Sequence, residues 1–555
     1  MNEHYFDLGS YQRPITTSSN EALTWFNRGL NWCYGFNHEE AVRCFKKAIE
    51  FDDKCAMAYW GVAYASGPFY NKPWEWYGDE ECIQETRNCF EFIQQANQLK
   101  ENASDVERAL IEALCQKHPA PKGRLNIEMV KWSPNYAEAM RMVFAQFPDD
   151  LDVICLTAEA LMTLTPWQLW DIKTGKPASD AFTEEAIEVL QHGVDLCEQN
   201  QWQQHPGIVH FYIHVYEMSP TPEKALALAN ALRNLCPDCG HLLHMASHID
   251  ALLGHWQNAV TANSRAIEAD LKFFESTNKD QFYMISTLHN FHFKMYSAMF
   301  LGQFGEAWSA VEGIRKLVTP DMLRTDKRYL GSTLEAYYSS GTHVLVRFGL
   351  WQRIIDENFP DDPKLFQVST IMLYYAKTIA YAAMGDISTA REYKKHFEAC
   401  QAAIPDWHII ANNPTRQIMN VAEAMMNGEL EYHAGNHQSG YELLREATRL
   451  SDNLAYSEPW PWMHPPRHAL GALLLEQGHT EEALAHYEDD LGLNPTLPRC
   501  VQHPDNIWAL HGYHECLKRL GRNKQAEAIK PRLDAALAKS DIKVTSSCCC
   551  RKQTM

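Results

Sequence analysis

Between positions 205 and 249 the chain reads HPGIVHFYIHVYEMSPTPEKALALANALRNLCPDCGHLLHMASHI. His210, His214 and Glu217 fall at i, i+4 and i+7, and His241, His244 and His248 at i, i+3 and i+7. On α-helices each trio occupies one arc of about 60° on a single face. His289 and His292 repeat the i, i+3 step. Neutral imidazoles with a few carboxylates converging on one place are the donor set of a Zn, Cu, Fe or Ni site. Two histidines one helical turn apart can share an ion. A bound ion would polarise a small-molecule substrate or activate water, with Glu159 or Glu217 as ligand or base. The plainer alternative is a metal-free polar network, because a single histidine at a helix interface is most often a hydrogen-bonded packing residue.

The elements that must position these residues are helices in repeating pairs. Trp25, Gly29, Trp32, Ala41, Phe45, Ala48 and Asp53 sit at the offsets of a tetratricopeptide (TPR) repeat, with Asp where Pro is usual. The same register returns at Arg467, Leu470, Gly471, Leu474, Ala483, Tyr487 and Pro495. Ser104-Asp-Val-Glu107 reads as a capping box, and Pro206 as the first turn of a helix that carries His210 and His214. No alternating strand series stands out. The expected fold is therefore all-α, a right-handed solenoid of antiparallel helix pairs. Residues 1–20 read as a polar leader, 21–537 as the solenoid with a histidine-rich groove over 150–301, and 538–555 as a disordered tail with cysteines. In such a stack the first helices of the pairs line the groove. The three histidine stripes then fall on three consecutive inner helices, and Glu159 on the one before.

Two aromatic loops interrupt the pattern, GPFYNKPWEWYGD at 67–79 and TPWQLWDIKTGKP at 165–177. They are expected to be packed connectors, with a ligand lid as the sharper reading; Asn71, Trp167, Trp170 and Asn290 are the candidate substrate contacts. Cys236 and Cys239 offer a redox pair or, with His241 and His244, a zinc knot, but a helix-end turn with two ordinary thiols is the favoured reading.

Across 555 residues the formal net charge is −20, with no basic cluster, so a nucleic-acid partner is not expected. No apolar run reaches membrane-spanning length, and most of the 16 cysteines are scattered singly, which fits a reduced, cytoplasmic protein. Cys548, Cys549 and Cys550 beside Arg551 and Lys552 could serve as a weak membrane tether through acylation.

Several pieces together resemble a group of TPR proteins. They are Phe36-Asn37-His38-Glu39-Glu40-Ala41, Cys55 through Gly61, Gly67-Pro68 with Asn71, Ala158 through Met162 with Pro166-Trp167, His205-Pro206-Gly207, Ile213-His214, His241 with His244-Met245, Ser247-His248-Ile249, and His289-Asn290 with His292-Phe293. The resemblance extends over residues 20–525. It implies the TPR fold, and one shared site containing Glu159, His210, His214, Glu217, His241, His244, His248, His289 and His292. It supplies no reaction, and neither Cys236 and Cys239 nor the terminal cysteines belong to its pattern. Whether the chain is an enzyme stays open; a metal-dependent hydrolase or oxidoreductase is the class to expect. The alternative is an adaptor that binds a peptide in the groove.

Overall fold

A computed structural model describes residues 5–121, 129–277, 279, 281–325 and 327–551. The chain divides into two compact units. Unit 1 comprises Met1–Ile249 and Arg265–Thr287; unit 2 comprises Asp250–Ser264 and Leu288–Met555. Both are stacks of helix pairs, and the fold class is the expected all-α, TPR-like solenoid. The named strands among the described residues are two two-residue hairpins, Trp170–Asp171 with Lys176–Pro177 and Ile409–Ile410 with Asn413–Pro414. No described helix is long and apolar enough to cross a membrane.

In unit 1, Asn20–Tyr34 packs on His38–Phe51, Ala56–Ser66 on Asp79–Leu99, Asp105–Lys117 on Trp132–Gln146, and Leu151–Met162 on Thr183–Gln199. Pro206–Glu217 then packs on the short Leu226–Leu232. The repeat register has a direct steric cause. The Phe45 ring lies between Gly29 and Gly61, where an added Cβ would come within 2.7 Å and 2.5 Å of it. Any larger residue would force the helices apart.

Unit 2 uses the same device at the late repeat. Tyr487 lies against Gly471 and Gly512, whose Cβ positions would fall 2.5 Å and 2.3 Å from its ring. Its pairs are Gly341–Arg347 with Trp351–Asp356, Gln367–Ala383 with Ile387–Ala402, Thr415–His433 with His437–Asp452, Pro466–Glu476 with Thr480–Asp490, and Ile507–Arg519 with Asn523–Leu537.

The local signals hold where they name a specific contact. Glu107 takes the backbone N–H of Ser104 at 2.7 Å, completing the capping box of Asp105–Lys117. His205 caps Pro206–Glu217, its Nδ1 accepting the Ile208 N–H at 3.1 Å. Both flanking segments behave differently from expectation. The leader is strapped onto unit 1: Arg13 pairs with Asp150 and Asp152 at 2.7 Å each, and Tyr5 donates to Glu40. The tail, expected to be disordered, packs into unit 2 with Ser547, Cys548 and Cys550 buried. Its last residues, 552–555, lie outside the described residues.

Candidate functional site

Two helices of unit 1 build the site, Pro206–Glu217 and Gly240–Leu252, the latter through its residues up to Ile249. Their apolar residues, such as Ile213, Leu242 and Ala246, are buried too, so the histidine stripe is enclosed rather than displayed. His210, His214, Glu217, His241, His244 and His248 are all 3% exposed or less. Three ring nitrogens meet: His210 Nε2 lies 3.1 Å from His214 Nε2 and 3.1 Å from His241 Nε2. Beside them, His244 Nε2 and His248 Nε2 are 2.7 Å apart.

The outward nitrogens fix the tautomers. His210 Nδ1 is 2.7 Å from the Tyr34 carbonyl oxygen, which can only accept, so the proton sits on Nδ1 and Nε2 carries a lone pair. His214 Nδ1 donates to Glu217 Oε1 at 2.8 Å, leaving its Nε2 bare as well. Glu217 Oε2 accepts from His248 Nδ1. Burial first, then the neighbouring His214, holds the His210 pKa well below the ordinary imidazole value, so this ring is neutral. His210 Nε2 therefore presents a lone pair toward His214 Nε2 at hydrogen-bond distance.

Aromatic residues close the site. The Phe36 ring centre is 4.3 Å from that of His210, 5.1 Å from His241, and 5.9 Å from His214. Phe36 holds φ +56°, a left-handed conformation rare for a large side chain. Trp167 shares that conformation, also at φ +56°. Its N–H donates to the Tyr70 hydroxyl at 3.2 Å, and the Tyr70 ring lies 4.8 Å from His214. Trp76 stacks on Trp167 at 5.0 Å. The two aromatic loops thus meet above His214. Trp170 instead donates its indole N–H to the Val215 carbonyl at 2.7 Å, clamping the helix. Asn71 occupies the turn between the bridged residues Phe69 and Lys72, partly exposed.

Of the nine residues expected to share one site, His210, His214, Glu217, His241, His244 and His248 come together within unit 1. Glu159 turns elsewhere in unit 1, accepting from the Tyr64 hydroxyl, with Lys117 its strongest charged neighbour. Burial raises its pKa and Lys117 opposes the rise. His289, Asn290 and His292 belong to unit 2. His292 Nε2 meets the Met463 sulfur at 3.2 Å, and burial lowers its pKa to about 4. Glu217, expected as ligand or base, has both its oxygens held by histidines, Oε1 by His214 and Oε2 by His248. Cys236 and Cys239 are separate buried thiols, with burial pushing Cys236 to about 12 and Cys239 well above its usual value. Such thiols are poor nucleophiles and poor metal ligands.

Sequence reasoning missed Phe36 and Tyr70 as site residues, and the Tyr34 carbonyl. Phe36 and Tyr70 lie in connectors whose paths helical periodicity does not predict, and a backbone carbonyl has no sequence signature.

No protein-family model matches the chain, and no curated protein matches it. Among solved structures the chain is similar to yeast Tom70, with 12% identity over 93% of this chain and 98% of that chain and a TM-score of 0.30. It is also similar to the APC/C hetero-tetramer Cut9–Hcn1, with 12% identity over 89% and 76% and a TM-score of 0.30. A monomeric IFIT1 mutant with Gppp-AAAA gives 10% identity over 94% and 91%, with a TM-score of 0.31.

Proposed function

We propose that unit 1 binds a transition-metal ion through Nε2 of His210, His214 and His241. The observation behind this reading is the pair of lone-pair nitrogens facing each other at 3.1 Å, with a third at the same distance. A tetrahedral ion with metal–nitrogen bonds of about 2.0–2.1 Å holds its ligand atoms about 3.3–3.4 Å apart, close to that spacing. The surroundings fit a metal site as well. His210 is backed by a carbonyl and His214 by a carboxylate, the outer partners that orient imidazoles toward an ion. His244 and His248 extend the nitrogen array, tied to the first cluster through Glu217. An all-imidazole set with a carboxylate behind it suits Zn, Cu, Fe or Ni and does not suit Ca or Mg, which take oxygen ligands. Three protein nitrogens leave one position of a tetrahedral ion for water or a small molecule, the arrangement through which metal-dependent reactions run.

The test is direct. Protein stripped with chelator and reloaded with one equivalent of Zn or Co, then desalted, should retain about one ion per chain and unfold at a higher temperature; at an ion concentration 100 times Kd the gain is about 2.7 kcal/mol. His210→Ala and His241→Ala should each abolish both effects. Loss of the ion on desalting from the folded parent protein would reject the site.

A second reading is favoured by an observation in unit 2. A short turn-containing stretch of the chain itself, Ser546 to Arg551, is seated against that unit's helices, as a peptide partner of an adaptor would be. The two readings concern different units and do not compete.

A further inference from the structure

In unit 2 the first helices of five successive pairs are Gly341–Arg347, Gln367–Ala383, Thr415–His433, Pro466–Glu476 and Ile507–Arg519. The segment from Ser546 to Arg551 touches the first and the last of them by specific contacts. Arg347, buried at 2% exposure, donates from Nη2 to the Ser547 carbonyl at 2.8 Å. Its guanidinium is itself held in place, stacked 3.9 Å over the Trp508 ring and bonded to His468 Nδ1 at 3.0 Å. At the other end Arg551 Nη1 donates to both carboxylate oxygens of Glu515, at 3.0 Å and 2.9 Å. Between them, Tyr487 meets the Ser547 hydroxyl. Cys549 runs so close to the backbone that a Cβ on Gly349, whose φ is +63°, would lie 2.5 Å from its own Cβ. These are the recognition elements of a peptide channel: a fixed arginine for a backbone carbonyl, a close-fitting stretch for small side chains, and a carboxylate for a basic residue.

A carboxyl that feels the charge of both Cys548 and Arg347 has no hydrogen-bond partner. Glu429 is fully buried, and neither of its carboxyl oxygens has a hydrogen-bond partner. Burial raises its pKa well above the carboxylate range, with Cys548 adding to the rise and Arg347 opposing it. A buried carboxyl without a partner is destabilising. A thiol at the Cys548 position is a weak donor; a hydroxyl or an amine there would be a strong one.

We infer that the helices of unit 2 carrying Arg347, Tyr487 and Glu515 form a binding channel for a turn-forming peptide of small residues followed by arginine, that Ser546–Arg551 is its resident occupant, and that a partner segment with a hydroxyl or amine in place of Cys548 displaces it. This rests on the second reading above and specifies its partner. Displacement exposes Cys548 and Cys550, buried at 2% each while the segment is seated. The buried state also explains why these thiols are not presented as a membrane tether.

The probe is a labelled synthetic peptide of residues 543–551, in two forms, native and Cys548→Ser. The receptors are the full-length chain and a full-length variant with residues 546–551 replaced by alternating glycine and serine. The inference expects at least tenfold tighter binding to the variant than to the intact chain. It expects the Cys548→Ser peptide to bind several-fold tighter than the native one, and Glu515→Gln in the variant to weaken binding about tenfold. Equal binding to intact and variant chains would overturn the inference while leaving a peptide adaptor standing. A variant with unchanged helical circular dichroism that binds neither peptide would overturn both. Should the variant not fold, thiol labelling of the intact chain gives the answer. A peptide with all three cysteines changed to serine should speed modification of Cys548 and Cys550 about tenfold, and an unchanged rate overturns the inference.

Discussion

Asp490 in unit 2 stands between two histidines. Its Oδ2 accepts from His468 Nε2 at 2.7 Å and its Oδ1 from His503 Nδ1 at 2.8 Å. His503 Nε2 continues to the Tyr296 hydroxyl at 2.9 Å, and His468 Nδ1 accepts from Arg347. Each imidazole nitrogen of His468 and His503 meets a partner of opposite kind. In unit 1 the outward nitrogens of His210 and His214 are served in the same way, by Tyr34 and Glu217, but their inward nitrogens meet each other. The residue types and the burial are alike in the two places. What differs is direction: one set forms a closed hydrogen-bond chain that needs nothing more, and the other converges on a point. Histidine density is therefore a poor guide to a site, and the pairing of donors with acceptors is a good one.

The largest expected effect comes from breaking the closed chain. Burial alone would raise the Asp490 pKa, but His468 and His503 outweigh it and hold the carboxyl well below its usual range. Asp490→Ala removes the acceptor from two buried imidazoles and from Asn506, which also donates to it at 2.9 Å. The cost should be about 3–5 kcal/mol, read from urea unfolding, with the metal content of the protein unchanged. Metal lost together with Asp490 would erase the distinction between the clusters. A smaller effect is expected at the convergent cluster itself. Glu217→Gln keeps the shape but cannot accept from both His214 and His248 through charged oxygens. Metal affinity should fall 10- to 100-fold with little change in the metal-free fold, measured by competition with a chromophoric chelator. An unchanged affinity would mean that Glu217 does not orient the ligands.

The helix period made part of this legible beforehand. His210, His214 and Glu217 share a face because 3.6 residues per turn puts them there, and the facing of two successive inner helices brings His241 and His248 opposite. The repeat register was legible for a similar reason, since Phe45 needs glycine at 29 and 61. What stayed hidden depends on contacts far apart in sequence. Glu159 finds Tyr64, 95 residues away, and His292 finds Met463, 171 residues away. The segment with the terminal cysteines looked like a solvated tail because Arg347 and Tyr487, which hold the adjoining Ser547, lie on repeats that no local pattern connects to it. His464 and His468 show the same limit from the other side. Their i, i+4 spacing equals that of His210 and His214, yet His468 belongs to the closed chain.

The smallest effect separates ordinary buried histidines from both clusters, and acid is the tool. His38 in unit 1 stacks on Phe69 with ring centres 3.8 Å apart, and burial lowers its pKa to about 3. His343 in unit 2 packs against Trp462 at 4.6 Å, and burial first, then His292, lowers its pKa to about 3. Both are depressed bases, so the unfolded chain takes up their protons first, near pH 6.5. Above that pH neither affects stability. Below it the unfolded state binds more protons than the folded one, and stability declines by about 1.4 kcal/mol per pH unit per histidine until the folded value is reached. The paired carboxylates Asp152 and Asp490 contribute nothing to this slope, because their unfolded forms begin to protonate only near pH 4. Metal-free protein unfolded in urea between pH 7 and pH 5 should show the loss. His343→Phe, which keeps the aromatic contact and removes the titrating nitrogen, should reduce the slope by about one proton. A slope that His343→Phe leaves intact would show that His343 takes no part in it, and the acid sensitivity would then belong to other buried histidines such as His38.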